Sequence, residues 1–216
     1  MATIAGVDEA GRGPVIGPMV MVGAMIDENK IQELKKLNVK DSKLLSPKQR
    51  NEIYPKLIKL VKYHIVILSP EQIDDALNSP NMNLNSLSSI AVAQAINALN
   101  PNKAIIDCPS PNTRVYTEDL KVYLKTATAI KCEHKADVNH LIVGAASIIA
   151  KVTRDRIIEQ IKKQHGIEFG SGYPSDPSTQ EFLKNNHEKY PEIFRKTWET
   201  YKKIADKKNQ KSLEEF

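Results

Sequence analysis

Short apolar segments of strand length alternate along this chain with longer segments whose apolar residues recur at helical spacing. The pattern predicts strands at residues 2–7, 15–26, 62–68, 103–107 and 126–132. It predicts helices at residues 27–37, 46–61, from 69, 84–99, 113–125, 138–165 and in the Lys-rich end to about 208. A glycine loop between the first two strands predicts a hairpin. Strands that alternate with helices favour an α/β fold, so we expect helices on both faces of a mixed sheet.

Two of the predicted helices carry strong start signals. Ser46 and Ser69 each precede a proline and stand three residues before a glutamine. Such a serine accepts a hydrogen bond from the third helical residue, whose glutamine side chain bonds back, and proline suits the first helical position. We therefore expect a helix to begin immediately after each serine.

The composition predicts a folded protein with one sizeable core, because the chain has 216 residues of which 41% are hydrophobic. The net charge of +5 weakly favours a polyanionic partner, although a solvated helical surface explains it equally well. The sequence has no window approaching the roughly 18 apolar residues that a membrane span needs. Its two cysteines define no disulfide framework. We expect a cytoplasmic protein with no membrane partner.

Four carboxylates follow or lie close to the ends of predicted strands, namely Asp8, Glu9, Asp107 and Asp137. In parallel or mixed α/β sheets such ends converge on a crevice where ligands bind. Like charges about 4 Å apart repel by about 4 kcal/mol at an effective dielectric near 20, so a cluster needs compensation. Carboxylates without paired Cys or His favour magnesium or manganese over zinc. Taken singly, each acid can also be a helix cap or an exposed charge.

The loop that follows Glu9 contains Gly11, Gly13 and Gly17, a spacing that loosely imitates a dinucleotide-binding turn. Such a turn must open a helix whose N-terminus meets the pyrophosphate. Here Pro14 leads into a predicted strand, and the two carboxylates upstream would repel a phosphate unless a metal intervened. The pattern therefore argues against a dinucleotide site.

Six motifs resemble, in this order, those of type 2 ribonuclease H: DEAGRGPVIGPMV, DSKLLSP, IID, HKAD, AASIIAKVTRD and GSGYPSDP. The sequence resembles most closely the short single-chain form of archaea, and the resemblance extends to about Trp198. It implies a ribonuclease H-like mixed β-sheet flanked by helices, with a small C-terminal helical portion. It implies a catalytic core at residues 1–170, the helical portion at 171–208 and a tail at 209–216.

The resemblance implies a metal-dependent endoribonuclease in which Asp8, Glu9, Asp107 and Asp137 hold two Mg²⁺ or Mn²⁺ ions. In a two-metal site one ion activates the attacking water and the other stabilises the leaving oxygen. The implied substrate is the RNA strand of an RNA/DNA hybrid, including a single ribonucleotide embedded in duplex DNA. Cleavage in this family leaves 3′-hydroxyl and 5′-phosphate ends.

The resemblance also implies substrate contacts. Gly11, Arg12 and Gly13 would meet the ribonucleotide, because glycines let backbone groups approach its 2′-hydroxyl without an intervening Cβ. Tyr173 would pack on the ribose, although a tyrosine between glycine and proline is also a common loop anchor. Lys43 would contact a phosphate, with a solvated lysine as the alternative.

A second group of polar residues falls on the less apolar side of the predicted helix at residues 138–165. The group comprises Ser147, Lys151, Arg154 and Asp155. We expect these side chains to contact and position the acids without touching the metal ions themselves. Helix capping or surface ion pairing is the alternative.

The chain finishes with QKSLEEF, in which Gln210, Leu213 and Phe216 have the spacing of the peptide by which replication proteins dock on the sliding clamp. One helical turn would place Leu213 and Phe216 on the same side as a hydrophobic plug. The usual motif has two adjacent aromatic residues, whereas this tail has one. An apolar end that folds back on the body of the protein is the alternative.

Two other functions stay open at the level of sequence. A non-catalytic nucleic-acid-binding adaptor, tethered to the sliding clamp, would use the basic surface and the tail alone. A different nuclease, or an integrase-like member of the same fold, is the third candidate because a fold does not settle function. Equal cutting of an all-DNA duplex would favour that third candidate.

Overall fold

The computed structural model of the chain describes residues 1–39 and 45–214, with side chains described as far as residue 206. Five strands form one sheet: β1 Thr3–Ala10, β2 Met19–Asp27, β3 Lys62–Leu68, β4 Lys103–Asp107 and β5 Ala129–Glu133. Their order across the sheet is β3-β2-β1-β4-β5. β1 pairs antiparallel with β2 and parallel with β4, and β4 pairs parallel with β5. The sheet is therefore mixed, as predicted.

The helices follow the strands in the alternating order that the sequence predicts. They are α1 Ile31–Lys35, α2 Pro47–Leu60, α3 Pro70–Asn78, α4 Leu84–Leu99, α5 Thr113–Tyr123, α6 Ala136–Asn139, α7 Leu141–His165, α8 Pro177–Asn186 and α9 Glu199–Glu214. Short 3₁₀ turns lie at Glu28–Lys30 and Pro191–Ile193. Ser46 and Ser69 form the two predicted capping boxes, at the starts of α2 and α3. Within the part of the chain that the structure describes, each helix is too short or too polar to span a membrane.

Two strands differ from their predicted bounds. β1 continues to Ala10, so Asp8 and Glu9 lie within the strand and do not follow it, and β5 begins at Ala129 and not at residue 126.

Other predicted boundaries were also wrong. The second strand begins at Met19 and not at residue 15, and Ile16 instead forms an isolated bridge with Phe194. The predicted helix at 138–165 is interrupted at His140, whose extended backbone separates α6 from α7. At the end of the chain, α9 continues to Glu214, past the predicted end at 208.

The chain forms two compact units. The first contains Met1–Ala10, Val20–Ile67 and Asn83–Arg154, and the second contains Gly11–Met19, Leu68–Met82 and Asp155–Phe216. The second unit has an apolar core of its own, made of Val15, Ile16, Ile158, Phe169, Phe182, Leu183, Ile193 and Phe194. The division at residues 170 and 208 that the resemblance implies stays a prediction.

Two glycines let helices approach opposite faces of the sheet. A Cβ on Gly6 of β1 would overlap backbone atoms of Ile142 in α7. A Cβ on Gly23 of β2 would lie 3.2 Å from the Cβ of Ala95 in α4. Gly23 pairs with Val7, which points away from the face of Gly6, so α7 and α4 cover opposite faces. The prediction of helices on both faces is confirmed.

We expect Gly6→Ala to destabilise the fold by about 2 kcal/mol or more, because the added methyl group must displace backbone atoms of α7. Chemical denaturation measures the free energy of unfolding. Gly166→Ala is the matched control, since a Cβ there meets nothing within 4 Å and only the positive φ of 63° is strained, at about 1 kcal/mol. Equal losses in the two variants would contradict the close approach at Gly6.

Candidate functional site

Three carboxylates converge in the first unit. Asp8, Asp107 and Asp137 each offer an oxygen, and the three oxygens lie within 4.8 Å of one another. Asp8 and Asp137 are buried, with 7% and 0% of their surface exposed, while Asp107 is half-buried. The structure thus brings together three of the four acids that the sequence singles out.

Strand register accounts for the first two members of this cluster. β1 and β4 run parallel, with Val7 paired to Ile106. One residue further in the same register, Asp8 follows on β1 and Asp107 follows on β4, so their side chains leave the same face. The carboxyl ends of parallel strands are therefore what places these two acids side by side.

A short helix brings in the third acid. Asp107 Oδ1 accepts a hydrogen bond of 2.8 Å from the backbone N–H of Ala136, the first residue of α6. Lys135, just before it, adopts a left-handed backbone with φ 58° that turns the chain from β5 into α6. Asp137 is the next residue of that helix, so the carboxylate of one acid holds the segment that contains another.

Burial dominates the electrostatics of Asp8. The pKa of this carboxyl is raised from its usual 3.8 to about 7, mainly by desolvation and also by the neighbouring charge of Asp107. Hydrogen bonds from Ser147 and from the backbone N–H of Glu9 oppose the rise, as does the positive charge of Lys151. The opposing groups do not cancel the cost of burial, so Asp8 retains its proton well into the neutral range.

Ser147 and Lys151 are two of the supporting residues predicted from sequence. Both lie on α7, where the ammonium of Lys151 donates to Ser147 Oγ. Their effect on the pKa of Asp8 places them beside that acid. Arg154 is buried further along α7, and Asp155 belongs to the second unit.

Glu9 has a different environment from the three aspartates. Successive strand residues point to opposite faces, so Glu9 turns toward α4. Its Oε2 accepts a hydrogen bond of 3.1 Å from Ser88 Oγ, which also lies 3.1 Å from the hydroxyl of Tyr116. Burial raises the pKa of Tyr116, so its hydroxyl stays a neutral partner. Neither Ser88 nor Tyr116 belongs to the six motifs, and helical periodicity contains no signal that these residues reach an acid across the fold.

The donor set of the three aspartates fits a hard divalent cation. Carboxylate oxygens are the ligands that Mg²⁺, Mn²⁺ and Ca²⁺ prefer, and buried like charges in close contact favour a cation among them. Asp8, Asp107 and Asp137 would hold it. The burial of like charges also explains the high pKa of Asp8. A proton neutralises this carboxylate where a bound cation would otherwise do so.

The glycine loop and Tyr173 meet within the second unit. Gly11 has φ 83°, a left-handed backbone that glycine adopts readily. The Tyr173 ring lies 3.4 Å from where a Cβ on Gly13 would stand, and the N–H of Val15 donates to the carbonyl of Gly172 at 2.9 Å. The loop and the tyrosine that the resemblance assigns to the substrate are therefore neighbours.

Some predicted contact residues fall partly or wholly outside the part of the chain that the structure describes. Lys43 and Phe216 lie outside the described residues. Gln210 and Leu213 belong to α9, whose backbone is described at these positions, but their side chains lie outside the described part of the chain.

Comparisons with known proteins give one consistent result. A family model described as Ribonuclease HII matches residues 5–201. The chain is 45% identical over 221 residues to the Ribonuclease HII of Pyrococcus horikoshii, covering 99% of this chain and 98% of the relative. The crystal structure of the ribonuclease H2 from Pyrococcus horikoshii superposes with a TM-score of 0.87 at 44% identity, covering 95% and 98% of the two chains. A structure of the PCNA:RNase HII complex from Archaeoglobus fulgidus matches with a TM-score of 0.82 at 37% identity, covering 93% and 96%.

The raised pKa of Asp8 gives the metal-free protein a pH-dependent stability. The folded state binds this proton more tightly than the unfolded chain, so the stabilisation is complete below pH 3.8 and is lost as the pH rises through about 7. Asp8→Asn does not titrate. We therefore expect it to stabilise the protein, relative to wild type, by about 2 kcal/mol more at pH 8 than at pH 5.

Urea denaturation in a chelator at the two pH values measures this difference. The exposed Asp75→Asn is the matched control for the removal of a surface carboxylate. A pH-independent effect of Asp8→Asn would contradict the assigned burial of this charge.

Proposed function

The chain belongs to the ribonuclease HII family and is an endoribonuclease of the ribonuclease H type, and from this we propose its substrates and cofactor. It cuts the RNA strand of RNA/DNA hybrids and incises at single ribonucleotides embedded in duplex DNA, leaving 3′-hydroxyl and 5′-phosphate ends. The observation that carries the proposal is the convergence of Asp8, Asp107 and Asp137 within 4.8 Å. A non-catalytic adaptor would not need such a costly cluster.

The proposed cofactor is a pair of Mg²⁺ or Mn²⁺ ions held by Asp8, Asp107 and Asp137. Glu9, which the resemblance implies as the fourth ligand, would have to turn away from Ser88 of α4 to reach them. When bound, such ions supply an activated water and stabilise the charge on the leaving oxygen. The carboxylates must release protons to bind them, and Lys151 favours the charged form of Asp8. Asp107, by holding the N–H of Ala136, keeps α6 and its acid in place.

The proposed ribonucleotide contacts are the loop of Gly11, Arg12 and Gly13 together with Tyr173. The 2′-hydroxyl distinguishes RNA from DNA, and backbone groups of a glycine loop reach it without side-chain interference. The packing of the Tyr173 ring over Gly13 supports a shared role. We assign Lys43 to a phosphate contact.

A cytoplasmic location of the protein stays a prediction.

The proposed protein partner is the replication sliding clamp. Gln210, Leu213 and Phe216 have the spacing of a clamp-docking peptide. A relative, the RNase HII of Archaeoglobus fulgidus, has a structure in complex with PCNA. Gln210 and Leu213 fall on a helical backbone in α9, three residues apart, which suits presentation on one side of a helix.

We expect Asp107→Asn to abolish incision of a DNA duplex that contains one ribonucleotide, with a loss of at least about 10³-fold in rate. The assay compares wild type and variant with Mg²⁺, with Mn²⁺ and with a chelator, and maps the cut to the phosphodiester 5′ of the ribonucleotide. Asp75→Asn is the control for a surface aspartate. Cutting of an all-DNA duplex at the same rate, or cutting in the chelator, would contradict the proposal.

We expect removal of residues 209–216 to abolish capture of the protein by immobilised sliding clamp. Leu213→Ala should weaken capture by about tenfold or more, because a buried leucine loses most of its apolar contact. Ser212→Ala, inside the tail but outside the spacing, is the matched control. Full capture of the truncated protein would exclude the tail as the docking peptide.

A further inference from the structure

Arg195 is a fully buried arginine whose hydrogen bonds converge on the glycine loop. Its Nη2 donates to the carbonyl of Gly11 at 2.6 Å, and its Nη1 donates to the carbonyl of Arg12 at 3.1 Å. Its Nε donates to the carbonyl of Gly17 at 2.9 Å. One rigid, planar guanidinium thus fixes both ends of a loop that glycine would otherwise leave flexible.

Trp198 completes the set of loop carbonyls. Its indole Nε1–H donates to the carbonyl of Gly13 at 3.0 Å. Its ring also stacks on the guanidinium of Arg195, at 4.7 Å from the ring centre. The two side chains therefore support each other and together bind the carbonyls of three consecutive loop residues.

These bonds determine which way the loop's donors point. Across a trans peptide, the carbonyl of one residue and the N–H of the next point in opposite directions. Because the carbonyls of Gly11 and Arg12 point at Arg195, the N–H groups of Arg12 and Gly13 point away from it. Successive N–H groups aimed to one side of a loop form a site for an electron-rich oxygen. The next residue, Pro14, has no N–H to orient.

A buried carboxylate holds the segment between the two side chains. Asp74 of α3 accepts hydrogen bonds from the backbone N–H groups of Lys196 and Thr197 at 2.7 Å and 2.9 Å. It also accepts one from the hydroxyl of Thr197 at 2.6 Å. The second unit therefore forms a continuous hydrogen-bonded support from α3 through residues 195–198 to the glycine loop.

We propose that Arg195 and Trp198 are positioning residues that hold the loop of Gly11, Arg12 and Gly13 in the form that binds the ribonucleotide. The inference rests on the proposed function, which assigns this loop to the substrate. Burial of a guanidinium costs free energy that an apolar side chain would avoid. Orienting the loop before substrate arrives is the gain that offsets this cost, because a preformed loop loses less entropy on binding.

The first test is Trp198→Phe, which keeps an aromatic ring on Arg195 but removes the donor to the carbonyl of Gly13. The substrate is duplex DNA with one ribonucleotide, at saturating Mg²⁺. We expect KM to rise about tenfold while kcat stays within about threefold, because the lost hydrogen bond orders the loop and does not touch the acids. Tyr190→Phe is the matched control, since that ring packs on Phe182 in the same unit.

The second variant, Arg195→Lys, keeps the charge but cannot bond several carbonyls with one planar group. We expect a larger rise in KM, about 100-fold, with the Mg²⁺ concentration for half-maximal rate unchanged. The melting temperature of both variants is measured by thermal unfolding. A purely structural role would lower the melting temperature and leave the KM of the folded enzyme at the wild-type value.

The outcomes separate this inference from the proposed function. If wild type does not cut at the single ribonucleotide, the proposed function fails and the inference falls with it. If wild type cuts and folded Trp198→Phe has the KM of the Tyr190→Phe control, the positioning role alone is overturned. A selective rise in KM in both variants supports it.

Discussion

The alternation of side chains along β1 is the constraint on which the rest of this structure depends. Gly6 and Asp8 leave one face, where the missing Cβ admits α7 and the buried carboxyl meets Ser147 of that helix. Glu9 leaves the other face and reaches Ser88 of α4. A shift of one residue in the register of β1 would exchange these faces, placing Ala5 or Val7 where the glycine must be and turning Asp8 to the face of α4. The same few residues therefore determine both how the helices pack and where the acids point.

The acid cluster shows function taking precedence over stability. At an effective dielectric near 20, two carboxylates about 4 Å apart repel by about 4 kcal/mol, comparable with a large part of the stability of a domain. Lys151 and Ser147 offset only part of this for Asp8, since the pKa stays near 7. An arrangement whose purpose was stability would place apolar side chains at these positions. The convergence of Asp8, Asp107 and Asp137 offers instead a ligand set that fits a hard divalent cation.

Much of this arrangement follows from local sequence, and the rest depends on distant contacts. The sequence predicted that Asp8 and Asp107 meet, because both acids come near the ends of predicted strands and such ends converge at one edge of a sheet. Asp137 reaches them through a left-handed turn at Lys135, a conformation for which lysine has no preference. Residues 15–18 have an apolar pattern and were predicted as strand, yet Ile16 pairs with Phe194 near the other end of the chain. Periodicity contains no information about such a partner.

Arg195 and Trp198 also contact partners far away along the sequence, so the motifs contain no sign of their bonds to the glycine loop. The bonds of Arg195 to the loop join residues 178 to 184 positions apart, so the loop acquires its form only when the end of the chain has folded back. Closing so long a segment costs little more entropy than closing one half its length, since the cost grows only with the logarithm of length. The C-terminal part of the chain therefore supplies the hydrogen-bond donors that give the glycine loop its shape.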